Sequence, residues 1–134
     1  MIANPPLHHV GIVQPDLETV ALQMQVMGLT EAYRGYVPQF HALCIFTEPA
    51  NGGSPIEFVV PDDGPLLKFN KGAGGLHHLA FTVPDLAATT AEFAGQGIRM
   101  IEPEPVRGAG NFLCNFLFPV ATRGIIVEYI QLLD

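Results

Sequence analysis

The chain has 134 residues, enough for one compact domain with a single core and too few for two large ones. Hydrophobic residues make up 49% and charged residues 14%, which excludes a disordered chain. Thirteen acidic residues against six basic ones give a net charge of −7, and the basic residues form no patch, so nucleic acid is excluded as a partner.

The opening segment MIANPPLHH has no basic stretch followed by an apolar one, and no apolar run reaches the length of a membrane span. The expectation is a cytoplasmic protein without a membrane partner. HHVGIVQ (8–14) reads as a strand ended by Pro15. A helix follows, with Asp16 as its N-cap, Leu17, Val20, Ala21 and Met24 as its apolar face and Gly28 as its stop. Residues 41–48 and 55–61 read as further strands. Between 62 and 75, Leu66, Leu67 and Phe69 suggest a short helical turn. HHLAFTV (77–83) opens a second strand, and a helix begins at Asp85 and stops at Gly97. Residues 111–119 and 124–131 read as closing strands.

The second half copies the first. An offset of 69 separates His9 from His78, Pro15 from Pro84, Asp16 from Asp85, Leu17 from Leu86 and Gly28 from Gly97. The fold class is therefore α+β. Two pseudo-symmetric βαβββ modules, about 7–61 and 76–131, pack about a local two-fold within one domain spanning 1–134.

Glu57 and Glu128, 71 residues apart, each interrupt an apolar strand. A buried carboxylate costs several kcal/mol unless it is paired or coordinated. Two such carboxylates beside two symmetric histidines point to a shared divalent metal. Strand alternation selects the ligands: His9, Gly11 and Val13 share one face, as do His78, Ala80 and Thr82. The small residues beyond each His leave room for an ion and a ligand. His9 and His78 are thus the metal ligands, with His8 and His77 as supporting or edge residues. Cys44 and Cys114, in apolar surroundings, read as small buried hydrophobes. The GAGG run at 72–75 lacks the Lys-Ser/Thr of a phosphate loop.

LHHVGIV, PIEFVVP, GPLLKFNKGAGGLHHLAFTVPDL, FLFP and GIIVEYIQ together resemble the vicinal oxygen chelate superfamily of glyoxalases, bleomycin-resistance proteins and extradiol dioxygenases. Within it the chain is most similar to the methylmalonyl-CoA epimerase group. The resemblance implies paired βαβββ modules whose mixed sheets curl around a metal cleft, metal ligation by His9, Glu57, His78 and Glu128, and a homodimer, to which the low charged fraction also points. Two imidazoles and two carboxylates with open positions suit one divalent ion among Co, Mn, Ni, Fe, Mg and Zn, six-coordinate geometry being favoured over a closed tetrahedron. The implied reaction is isomerisation or epimerisation through an enolate on a small-molecule substrate, a CoA thioester or a similar compound. A glyoxalase-type lyase, a dioxygenase, and a non-catalytic small-molecule binder are the alternatives.

The epimerase pattern implies a catalytic Glu at the position held here by Gln39. Gln cannot take a proton at ordinary pH. His41, two residues along, is expected on the same strand face and in reach of the substrate as the proton-transfer residue, with Gln39 orienting the substrate and Glu128 as the opposing base. GAGNFLCNF also lacks a His expected near Gly110. Asn115 is a candidate for a substrate contact or a backbone hydrogen bond. Arg34, Lys68, Lys71, Arg99 and Arg107 are candidates for an anionic substrate.

Overall fold

The computed structural model describes residues 3–134. Met1 and Ile2, which begin the segment read above as having no leader, lie outside the described residues. The element order is β1 (Leu7–Val13), α1 (Leu17–Met27), β2 (Glu31–Val37), β3 (Ala42–Thr47), β4 (Ile56–Pro61), then β5 (Gly75–Thr82), α2 (Leu86–Gly95), β6 (Val106–Arg107), β7 (Phe112–Phe116) and β8 (Val127–Leu132). The βαβββ unit therefore occurs twice.

The eight strands make one sheet, ordered β2-β3-β4-β1-β5-β8-β7-β6. Its centre is the antiparallel pair β1–β5, and each of these strands has the last strand of its own module beside it in parallel, β4 and β8. Every strand carrying a His or Glu of the repeat is thus central. The two edges approach each other as well: a methyl group at Gly35 on β2 would lie 2.6 Å from the Ala109 carbonyl, just beyond β6. Glycine at 35 permits that approach, and the sheet closes most of the way round a cleft.

Strand alternation divides the core. Ala42, Cys44, Phe46, Val59, Phe112, Cys114 and Ile130 face the cleft. Ile45 and Phe58 face outward under Val20 of α1, and Leu117 and Val127 pack with Leu86 and Phe93 of α2. The helices begin alike: Asp16 accepts from the Thr19 N–H at 2.7 Å and Asp85 from the Ala88 N–H at 3.1 Å. Such a cap is worth about 1 kcal/mol. Gly28 ends α1 at φ +70, as expected, whereas α2 stops at Gly95, two residues before Gly97. The turn expected between the modules is a kinked 3-10 segment, Pro65–Gly72, whose Leu66 and Phe69 pack on the cleft-side core. No helix among the described residues is long and apolar enough to cross a membrane.

Two features depart from the sequence reading. The polar run EAYRGYV forms β2, an edge strand with one buried residue, Val37. The segment expected to be strand from residue 41 begins at Ala42. Pro38–Phe40 is a 3-10 turn capped by an exposed His41 at φ +51. Gln39 and His41 therefore share no strand face.

Gly11 is also used differently from the expectation. It sits opposite His78 in the β1–β5 register, and a methyl group built there overlaps the His78 ring. The space beyond His9 is filled by the other module's imidazole. Gly11→Ala is expected to destabilise by about 1–3 kcal/mol, the usual cost of overpacking, read as a lower denaturant midpoint. Gly95→Ala, where nothing lies within 4 Å, is the control and should be neutral or stabilising.

Candidate metal centre and active site

β1, β5, β4 and β8 each deliver one side chain to the floor of the cleft. His9, Glu57, His78 and Glu128 are all buried. His9 Nε2 lies 3.0 Å from Glu128 Oε1 and 3.3 Å from Glu57 Oε1. His78 Nε2 lies 3.2 Å from both oxygens and 3.2 Å from His9 Nε2. Five of the six separations thus fall between 3.0 and 3.3 Å, and all four ligand atoms lie within 4.8 Å of one another. Adjacent ligands on a six-coordinate ion with bonds of about 2.1 Å stand about 3 Å apart, so the spacing fits a divalent cation. Glu128 Oε1 is buried without a hydrogen-bond partner despite the imidazoles beside it. An oxygen that is close to two nitrogens but bonded to neither is what a ligand atom aimed at a common centre looks like. The donor set and the orphaned oxygen both fit a metal.

The electrostatics point the same way. Burial opposes charge on His9 and His78, but the carboxylates of Glu128 and Glu57 outweigh it and raise the imidazoles to about 9 and about 10. Burial likewise opposes ionisation of Glu57 and Glu128, yet the two histidines hold both carboxyls below their ordinary range. In the metal-free quartet the two imidazoles are thus biased toward the protonated form and the two carboxyls toward the ionised form.

The paired histidines have a structural cause. The β1–β5 register slips between Leu7 and His9 and again between Gly11 and Ile12. The first slip leaves His8 extra on β1, and the second leaves His77 extra on β5. These β-bulges break the two-residue alternation, so His8 does not turn to the outer face. Its ring lies near Phe46 and Phe112, at 6.2 and 6.0 Å. His8 Nδ1 meets His9 Nδ1 at 2.8 Å, and His77 Nδ1 meets His78 Nδ1 at 2.8 Å. Burial lowers His8, and it lowers His77 to about 4, the neighbouring His9 and His78 adding to the effect.

A cavity of about 300 Å³ opens above the cluster, lined by Glu57, His77, His78 and Glu128, and by Gln39 and Glu102. Its remaining walls are mostly apolar. His41 is absent from the lining. The sequence reading missed Glu102, which lies between strands, and it missed the position of the thiols. Cys44 and Cys114 line the same cavity, their ionisation pushed up by burial and by Glu57 and Glu128 respectively. Asn115 resolves as a backbone clamp: its Oδ1 accepts from the Glu102 N–H at 3.1 Å and its Nδ2 donates to the Glu102 carbonyl at 3.0 Å. Of the basic candidates, Arg34 is engaged by Glu31, and none of the five lines the cavity.

Residues 8–118 match the Glyoxalase/Bleomycin resistance protein/Dioxygenase superfamily, and the chain belongs to that family. It is an enzyme of the superfamily. An ethylmalonyl-CoA/methylmalonyl-CoA epimerase of Cereibacter sphaeroides is 31% identical over 131 residues, 93% of this chain and 96% of that protein. The structure of methylmalonyl-CoA epimerase from Mycobacterium tuberculosis superposes with a TM-score of 0.89 at 24% identity, covering 100% of this chain and 94% of that one. A methylmalonyl-CoA epimerase in complex with methylmalonyl-CoA and NH4+ gives a TM-score of 0.84 at 25% identity, covering 97% and 96%.

The charge state of the quartet predicts how stability follows pH. The raised imidazoles contribute fully below their unfolded value of 6.5, and the contribution is lost as pH rises through about 9 to 10. The lowered carboxyls contribute above 4.5 and lose that contribution as pH falls. The metal-free chain should thus be favoured most between 4.5 and 6.5 by this cluster, with a melting temperature that falls from about pH 6 to about pH 10. A bound cation displaces the two imidazole protons, so with excess Co(II) the trend should reverse. Melting curves in chelator and in metal across this range check both signs. A flat profile in chelator would rule out the charged quartet.

Proposed function

We propose that the chain is an epimerase-like enzyme that moves the proton next to the thioester carbonyl of a small, 2-substituted malonyl-type CoA thioester. In this reading His9, Glu57, His78 and Glu128 hold one divalent cation. The observation that carries it is the convergence of four buried ligand atoms, one of them an orphaned oxygen, on the floor of a largely apolar cavity. The epimerase names of the relatives and the CoA ligand of the matching structure support the substrate class. Co, Mn, Ni, Fe and Mg suit a quartet that leaves coordination positions open, and Zn suits it less.

When bound, such a cation supplies Lewis acidity to a carbonyl oxygen whose neighbouring carbon is losing its proton. The chain's own residues do the rest. Val37, Phe40, Leu66 and Phe116 wall the reacting carbon from water, which strengthens every charge interaction inside. Gln39 lines the cavity and donates a hydrogen bond to a substrate oxygen, but it takes no proton. In this reading His41, which is exposed and does not line the cavity, takes no part in the proton path. We assign that step to Glu102, the carboxylate of the lining that stands outside the quartet, with its backbone fixed by Asn115. Glu128 remains the candidate for the opposing face. The homodimer belongs to this reading too, and sedimentation should give twice 14.5 kDa.

The test follows the α-hydrogen of methylmalonyl-CoA in D2O with each metal in turn. Exchange should outpace inversion, because the opposing face depends on Glu128, a carboxylate already committed to the cation. Glu102→Gln should lower exchange by about 100-fold, the usual loss on removing a general base. Gln39→Glu should raise inversion relative to exchange, and His41→Ala should leave both unchanged. A hundredfold loss in His41→Ala would return the proton step to that residue. Absence of exchange for any malonyl-type thioester with any metal would sink the epimerase assignment.

A further inference from the structure

The two tandem histidines form a matched pair of contacts. His8 and His9 have ring centroids 5.0 Å apart at 82°, and His77 and His78 have centroids 5.0 Å apart at 88°. In each pair the two Nδ1 atoms meet at 2.8 Å. In each pair the first histidine is the extra residue of a β-bulge. The second presents Nε2 to Glu57 and Glu128.

A contact between two ring nitrogens at hydrogen-bond distance requires a hydrogen on one and a lone pair on the other. The two possibilities have opposite consequences. If His8 donates, His9 Nδ1 is the acceptor, its hydrogen sits on Nε2, and that nitrogen cannot ligate a cation. If His9 donates, its Nε2 offers a lone pair once any proton there is displaced by the cation. The same holds for His77 and His78. Metal-binding imidazoles are commonly oriented by an acceptor on the nitrogen remote from the ion, which is usually a carboxylate or a backbone carbonyl.

We propose that His8 and His77 are positioning residues that accept the Nδ1–H of His9 and His78, fixing both ligands with Nε2 free for the cation. The inference rests on the metal reading given above. It explains why each module contains two adjacent histidines and why both carry a bulge. In an unbroken strand a neighbour points to the opposite face and cannot reach. The bulge turns it back toward the ligand. One consequence distinguishes the modules. A neutral His77 that accepts at Nδ1 carries its own hydrogen on Nε2, and its ring lines the cavity. His8, against Phe46 and Phe112, is not in the lining.

The direct test is 15N NMR of the full chain with labelled histidines, metal-free and with Zn(II). Coupling across the hydrogen bond between the two Nδ1 atoms is expected in both pairs, with the hydrogen on His9 and His78. A hydrogen on Nδ1 of His8 or His77, or no coupling in either pair, would overturn the proposal. The second arm measures Co(II) binding by its visible absorption. His8→Leu and His77→Leu should each weaken binding by about 10–100-fold. His8→Asn and His77→Asn, whose amide oxygen takes the place of Nδ1 as acceptor, should restore most of the loss. Full affinity in both Leu variants overturns the proposal and leaves the metal reading intact. Failure of the unmutated chain to bind any divalent metal defeats the metal reading, and the coupling in the metal-free protein still decides the hydrogen-bond direction. If a Leu variant fails to fold, the coupling and the Asn variants decide.

Discussion

Two carboxylates held out of water against two imidazoles are the constraint around which this chain is arranged. Each carboxylate alone would cost several kcal/mol to bury. Here Glu57 and Glu128 come from strands adjacent to those bearing His9 and His78, so four costs are offset at one point. That point exists only because β1 and β5 pair antiparallel at the centre of the sheet and each has its own module's last strand on its outer side. Local two-fold symmetry follows: each half supplies one base and one acid, and neither half has a complete site.

The symmetry extends past the quartet and then stops. His9 packs edge-on to Phe46 at 5.0 Å, and His78 packs edge-on to Phe116 at 5.3 Å. Phe46 is the register partner of Glu57, and Phe116 that of Glu128. Each thiol stands beside its own module's carboxylate. The walls, however, differ. Beside His8, Tyr33 stacks on Phe46 at 5.0 Å and Phe112 meets the same ring. On the other side His77, Gln39 and Glu102 border the cavity. In the proposed reading the symmetric floor holds a cation, and the asymmetric wall selects what lies on it.

Much of this was legible in the sequence because the chain repeats itself. The offset of 69 pointed to the two βαβββ units, and two charged residues interrupting apolar strands pointed to the buried quartet, since an unpaired buried carboxylate is too costly to be accidental. What stayed hidden departs from simple periodicity. The bulges at His8 and His77 add a residue without changing composition, so a strict alternation sends these rings to the wrong face. β2 is an edge strand whose polar residues meet water, so it lacks the apolar pattern that marks a strand. His41 lies next to a real strand, but Pro38 begins a 3-10 turn that leaves His41 as an exposed cap. Glu102 belongs to a loop, and tertiary contacts bring it to the cavity wall: the Asn115 clamp and the Ile101 N–H donating to the Phe116 carbonyl.

The central claim is that His9, Glu57, His78 and Glu128 are one ligand set. Anomalous scattering from crystals of the purified chain soaked in Co(II) tests this most directly. The account predicts one strong peak among His9 Nε2, His78 Nε2 and the two carboxylates, about 2.1 Å from each ligand atom. A peak elsewhere, or none with the quartet closed on itself at its metal-free spacings, would contradict it.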